Sequence, residues 1–325
     1  MDVNSGSWLF REEPLAVIGR VFRQALGEAP AREARLLDGG LFNTTYLVTY
    51  GAEERAVLRL GPVERRRIMG FERNLMAAEA YLYRICRDIG IPCPQVLAWD
   101  TSRTAVDRDF MITRYIPSVA MVNAELTEET RRGLCFQLGV YLRRLHQVTG
   151  ERFGFVSRVL EGRRFDTWGG ALLFEAEDIV GRLERAGGLT AAEARAVLAP
   201  FRRGRALLDQ IQTPHLLHLD LWAGNVLLDR DSLEILALID SDRAVFGDPD
   251  FEFAAPWMED PDLRRGYGFP EIAPGDRERL ERRRLYQAFY LALDAYVGLG
   301  EYNNPSLYRD RKAELLRTLG VRETG

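Results

Sequence analysis

Two short apolar runs near the middle of the chain, Val226 to Leu228 and Ile235 to Ile239, carry polar residues at their ends whose types and spacing leave few folds open. The first run follows HLDLWAGN, His218 to Asn225, and the second leads into IDSD, Ile239 to Asp242. Bounded by turn-forming residues, each run reads as a short buried strand. Asp220, Asn225 and Asp240 then lie at strand edges. Three oxygen-bearing side chains so placed suit a hard cation. Mg²⁺ bound to nucleotide phosphates takes a carboxylate, a carbonyl-type oxygen and waters, and phosphoryl transfer needs a further carboxylate to orient the attacking hydroxyl. Singly, each piece is an ordinary turn or strand end. Together they form an ordered set that a structural turn does not require.

An aspartate, an asparagine five residues on, and an aspartate ending an apolar strand is the order in which protein-kinase-like enzymes place base, metal ligand and metal ligand. At these residues the chain resembles the aminoglycoside phosphotransferase family, whose members include fructosamine, choline and homoserine kinases. HLDLWAGN resembles the family's H-G-D-x-x-x-x-N brace, with Leu219 where glycine is usual, and IDSD resembles its I-D-x-[DE] strand end. The DLW and GN wording is closest to fructosamine kinases. DRAVFGDPDFEFA, Asp242 to Ala254, resembles the family's continuation, in which a G-D-P step enters a helix. The resemblance covers most of the chain and is specific from about His218 to Ala254.

The resemblance implies an α+β, bilobal, protein-kinase-like fold. A small antiparallel-sheet lobe, residues 1–116, holds the nucleotide, and a larger, mainly helical lobe, residues 117–325, carries catalysis and acceptor binding. It implies Asp220 as catalytic residue, Asn225 and Asp240 as Mg²⁺ ligands, His218 and Asp242 as supporting residues, and ATP or GTP as phosphoryl donor. His218 is expected to hold the loop through backbone hydrogen bonds, and Asp242 to reach the metal through water or to brace Arg243. A protein kinase is excluded by length: Asp240 to Pro249 is too short for an activation loop, and DFG and APE are missing.

The N-terminal pattern agrees with a nucleotide lobe. LLDGGLFNTTYLVTY, Leu36 to Tyr50, reads as strand, turn and strand, and ERAVLRL, Glu54 to Leu60, as the next strand. Gly39 and Gly40 at the hairpin tip can bring backbone N–H groups to phosphates because no Cβ holds the chain away, although glycine is also the ordinary hairpin residue. Asn43, Thr44 and Thr45 add polar groups beside them. Arg59 lies where the family places a phosphate-pairing cation. Of the 44 basic side chains only Lys312 is a lysine, and arginine holds phosphate bidentately. Its acidic partner is expected from the helix Phe71 to Cys86, either Glu79, beside the apolar stripe Leu75, Ala78, Leu82 and Ile85, or Glu72. DFMITRYIP, Asp109 to Pro117, reads as the strand entering the interlobe hinge, with backbone near Thr113 to Tyr115 set to contact adenine.

Beyond the hinge the pattern is helical. Thr127 caps a helix that ends at His146, and Thr167 to Gly187, Ala191 to Gln210 and Arg277 to Leu319 supply more. At 325 residues and 46% hydrophobic, the chain can build two lobes sharing a cleft. A net charge of −4 argues against a nucleic-acid partner. Cys86, Cys93 and Cys135 have no metal-ligand spacing and suit a reducing cytosol. No apolar leader or run of about 18 apolar residues is seen, so a cytoplasmic protein without membrane contact is expected, as monomer or homodimer.

The acceptor is the open question. Glu175, Glu177, Asp178, Glu259, Asp260, Asp262 and Asp294 could line a pocket for a polycationic antibiotic, or be solvated helix faces. Trp168, Trp257, Tyr267, Phe269, Tyr290 and Tyr296 would suit a sugar, nucleoside or macrocycle, or be core. The leading expectation is a hydroxyl of an antibiotic such as an aminoglycoside, or of another hydroxylated natural product. A metabolic kinase of fructosamine, choline or homoserine type, supported by Trp222, is the alternative within the enzyme class. A non-catalytic nucleotide-binding pseudokinase is the alternative outside it, opposed by the intact Asp220, Asn225 and Asp240.

Overall fold

The computed structural model describes residues 7–27, 31–37 and 41–322. The first lobe holds α1 (Leu15–Leu26), β1 (Ala31–Leu36), β2 (Thr44–Tyr50), β3 (Glu54–Leu60), α2 (Leu75–Asp88), β4 (Val96–Asp100) and β5 (Phe110–Arg114). Its strands form one antiparallel sheet in the order β1-β2-β3-β5-β4. Side chains alternate faces along a strand, and ERAVLRL uses that alternation: Ala56, Leu58 and Leu60 are buried against Ile18, Val21 and Phe22 of α1. Arg59 therefore falls on the opposite face, paired across the sheet with Thr45 and Met111, and α2 covers that face through Met76 and Tyr83.

Three of these elements refine the expected boundaries. The strand placed at Leu36 ends there, and Gly39 and Gly40 lie outside the described residues. The helix expected from Phe71 begins at Leu75, because Gly70–Glu72 is a 3-10 turn and Asn74 turns into the left-handed region at φ 64°. The run Ile235 to Ile239 pairs only as far as Leu238.

After β6 (Val119–Ala120) comes α3 (Glu128–His146), whose first turn is capped by the Thr127 hydroxyl accepting from Thr130 N at 3.1 Å. The second lobe continues through β7 (Gly154–Phe155), α4 (Val156–Leu160), α5 (Trp168–Arg185), α6 (Ala191–Arg203), α7 (Arg205–Leu208), β8 (His215–Leu217), β9 (Val226–Leu228), β10 (Ile235–Leu238) and β11 (Val245–Gly247). It closes with α8 (Pro249–Glu252), α9 (Pro261–Tyr267), α10 (Arg277–Tyr296), a π-helical turn Val297–Glu301, and α11 (Pro305–Leu319). Two small sheets, β10-β9-β6 and β7-β11-β8, sit among the helices and carry the polar segments at their ends. An aromatic core of Trp168, Phe251, Tyr286 and Phe289 backs them, Phe251 touching the other three rings at centroid distances of 5.3–5.4 Å.

Residues near the N-terminus strap the lobes together. Trp8 N donates to Glu301 O at 3.0 Å, Val63 N donates to Leu9 O at 3.1 Å, and the Arg67 guanidinium lies 4.5 Å from the Trp8 ring centroid while reaching Gly300 O at 3.3 Å. Among the described residues no helix is long and apolar enough to cross a membrane.

Helices α3 and α9 meet backbone to backbone. A Cβ on Gly139 would lie 2.1 Å from Leu263 O, and one on Gly266 would lie 1.9 Å from Phe136 O. Gly139→Ala is expected to lower stability by ~1–3 kcal/mol or more through overpacking. Gly133→Ala, exposed on the same helix with nothing within 4 Å, should raise it by ~0.5–1 kcal/mol through helix propensity; thermal melts of the two variants check the contrast.

Candidate active site

The cleft face of β3 presents Arg59 to three carboxylates. Its Nη1 donates to Glu79 Oε2, its Nη2 to Asp240 Oδ1, and Asp242 Oδ2 lies 3.4 Å from Nη2. Glu79, fully buried on α2, also accepts from the Tyr83 hydroxyl one helical turn on. Burial works against the Arg59 charge, but Asp240, Glu79 and Asp242 outweigh it and hold the guanidinium well above its usual value. The carboxyls feel the reverse. Burial pushes Glu79 up despite Arg59, and burial with the neighbouring Asp240 charge pushes Asp242 well up. One cation facing three carboxylates leaves the cluster short of positive charge.

The segment between β8 and β9 is held from behind by one buried acid. Glu252, ending α8, accepts from His218 N at 2.7 Å and from Leu219 N at 2.9 Å. Two consecutive N–H groups can converge on one carboxylate because Leu219 takes φ 68°, a conformation that usually favours glycine. Its side chain, 5% exposed, packs in the core, and the positive φ costs roughly 1–2 kcal/mol. His218 Nδ1 then accepts from Asp220 N at 3.3 Å. Asn225 Nδ2 donates to Asp220 O at 2.7 Å and to Asp220 Oδ2 at 3.1 Å, leaving Asn225 Oδ1 without a partner among the described residues. Ile239 N donates to Asn225 O at 2.9 Å, which seats Asp240, at φ 61°, beside this loop. Burial pushes the Asp220 carboxyl up to about 7, against the pull of Arg243 and with the push of Asp240.

A sheet lobe bearing a lysine-like cation, joined to a helical lobe bearing this loop, is a kinase-like arrangement, and the sequence matches the profile of the phosphotransferase enzyme family over residues 33–287. The chain belongs to that family. It is a small-molecule phosphotransferase. No curated protein matches the sequence significantly. Among solved structures, the gentamicin complex of APH(2″)-IIa is similar at a TM-score of 0.65 and 17% identity, over 96% of this chain and 100% of that one. A thermostable mutant of aminoglycoside phosphotransferase APH(4)-Ia, in ternary complex with ADP and hygromycin B, is similar at 0.61 and 18%, over 93% and 98%. A putative fructosamine-3-kinase from Thermobifida fusca YX-ER1 is similar at 0.60 and 19%, over 92% and 98%. At these identities the likeness is one of fold.

In this phosphotransferase Arg59, Glu79, Asp220, Asn225, Asp240, Asp242 and His218 come together around one cleft. Between the two acids considered for Arg59, Glu79 makes the pair, and Glu72 binds Arg243 at 2.7 Å instead. Asp242 consequently faces Arg59 and does not brace Arg243. Thr44 is buried, its hydroxyl donating to Arg11 O at 3.1 Å and accepting from Arg108 Nη1 at 3.2 Å, so it joins the sheet core. Asn43 is buried, its Oδ1 without a partner among the described residues. Thr113 is buried in β5, and Tyr115 N donates to Arg55 O at 3.2 Å. Glu252 and Arg243 were not singled out as site residues by the sequence; an acid flanked by two phenylalanines in the run DFEFAA was the available signal for the first.

Glu252→Gln, which offers an amide where two N–H groups need acceptors, is expected to cost ~1–3 kcal/mol of stability. It should lower kcat roughly 10- to 100-fold by loosening the loop, while KM for nucleotide stays near wild type. Burial keeps His146, beside Glu252 and Tyr267, below the ordinary histidine value of 6.5. A neutral buried imidazole stabilises fully above the unfolded value, and as pH falls below it the unfolded chain takes up the proton first. The stability advantage of wild type over His146→Gln should therefore shrink as pH drops below about 6.5, measured by denaturant titration at several pH values.

Proposed function

We propose that the chain transfers the γ-phosphoryl group of ATP or GTP, with Mg²⁺, to a hydroxyl of a hydroxylated natural product such as an antibiotic, in the cytoplasm. The observation that carries this reading is the orientation of Asn225, whose amide nitrogen is spent on Asp220 while its side-chain oxygen has no partner among the described residues, and whose backbone oxygen accepts from Ile239 N, next to Asp240. A carboxylate and an amide oxygen at one cleft edge fit a hard cation with waters, and the negative excess around Arg59 fits a divalent charge.

Asp240 and Asn225 would hold Mg²⁺, which when bound screens the phosphate charge. Arg59, positioned by Glu79, pairs the phosphates. Asp220 takes the proton of the acceptor hydroxyl as its oxygen bonds the γ-phosphorus and the bond to the bridging oxygen of the diphosphate leaving group breaks. Residues 1–116 serve as the nucleotide lobe and 117–325 as the catalytic and acceptor lobe. Asp242 supports Arg59, and His218 supports the loop. A metabolic kinase of the fructosamine type is the second reading, favoured by the 43% exposed Trp222 beside the catalytic segment and by the fructosamine-3-kinase fold neighbour.

A coupled ADP-release screen with ATP or GTP and Mg²⁺, over hydroxylated antibiotics, ketosamines, choline and homoserine, tests the reading. Asp220→Asn should lower kcat by roughly 10²–10⁴, and Asp240→Ala should remove turnover. A variant lacking the Asp240 carboxylate that kept wild-type turnover would overturn the assignment. Nucleotide binding with no transfer to any acceptor would point to a pseudokinase.

A further inference from the structure

We propose that the acceptor of this phosphotransferase carries no positive charge, and that Arg243 is the specificity-determining residue that makes it so; the inference rests on the reading that places the acceptor hydroxyl at Asp220. A pocket for a polycation needs carboxylates free to meet ammonium groups. Every one of the seven acidic side chains of the helical lobe considered for that task has an arginine nitrogen within 4.0 Å. Glu175 meets Arg158 at 3.0 Å, Asp260 meets Arg131 at 2.6 Å, Asp262 meets Arg265 at 2.7 Å, and Asp294 meets Arg311 at 3.6 Å. A polycation arriving there would give up the hydration of each ammonium without gaining an unpaired carboxylate.

The surroundings of Asp220 point the same way. Arg243 is fixed by Glu72, whose other oxygen is taken by Met69 N at 2.9 Å. Its side chain is 22% exposed, and the rest of its guanidinium N–H groups have no acceptor among the described residues. It lies within electrostatic reach of Asp220, as do Tyr290 of α10 and Tyr302 after the π-helical turn. Glu301 is fully buried beside Glu72, and burial with the Glu72 carboxylate raises it well above the usual carboxyl range. Two exposed tryptophans accompany these groups. Trp257 is 36% exposed and meets Tyr290 edge-on at 6.1 Å, and Trp222 is 43% exposed. Aromatic faces alone would also accept a single cation; a fixed guanidinium beside them favours a neutral or anionic ring that can take its free N–H groups.

Kanamycin and its fully N-acetylated derivative share rings and hydroxyls and differ in charge. Tryptophan fluorescence of the full chain with AMP-PNP and Mg²⁺ is titrated with each. The N-acetylated compound should bind saturably and at least about tenfold more tightly than kanamycin, and Arg243→Gln should shrink that ratio to about twofold while Arg243→Lys keeps it. Kanamycin binding as tightly as its derivative or more so, or no saturable response to either, overturns the proposal. If Arg243→Gln fails to fold by circular dichroism, the wild-type ratio and Arg243→Lys decide. ATP hydrolysis to water by wild type, lost in Asp220→Asn, checks the underlying phosphotransferase reading separately, whichever sugar binds.

Discussion

The rest of the cleft depends on one guanidinium. Arg59 joins β3 to α2 through Glu79 and joins the first lobe to the second through Asp240 and Asp242. Without it, the buried carboxyls of Glu79 and Asp242 would face the more exposed Asp240 with no cation between them, and removing one partner of a buried ion pair typically costs several kcal/mol. The carboxylates outweigh burial at Arg59 and keep it firmly charged, whereas at Glu79 and Asp242 burial outweighs the pull of Arg59 and both carboxyls sit high. Arginine suits this task better than lysine because its planar fork addresses Glu79 and Asp240 with different nitrogens at once.

Behind the reacting groups the structure uses acids as backbone anchors. Glu252 holds the loop between β8 and β9 by two N–H groups, and Asp248 caps the short helix that Glu252 ends while accepting from the Tyr286 hydroxyl at 2.7 Å, itself bonded to Trp168 Nε1 at 2.9 Å. A chain of hydrogen bonds thus runs from the core tryptophan to the segment that carries Glu252. Such networks rigidify a site when every member is satisfied, and the left-handed Leu219 is the local strain this rigidity sustains.

The fold and the central residues were legible in the sequence wherever chemistry is intrinsic to a residue and its near neighbours. ERAVLRL declares its strand by alternation, and HLDLWAGN with IDSD declares its family by residue type and spacing. What stayed hidden depends on partners distant in the chain. Glu72 and Arg243, 171 residues apart, meet only after folding, and Glu252 finds its N–H groups 33 and 34 residues earlier. The acidic side chains of the helical lobe showed their sign but not their arginines. Thr44 was polar in the right place, yet strand alternation turned it inward toward Arg108.

The strap from Trp8 and Leu9 to Glu301 and Val63 adds to the covalent hinge after β5, and to the ion pairs of Arg59 and Arg243, one more attachment between the lobes. Bodies tied at several separated points give up most of their relative freedom. Trp8 and Leu9 are thus part of what sets the spacing across which Arg59 meets the aspartates, although neither of them touches that cluster.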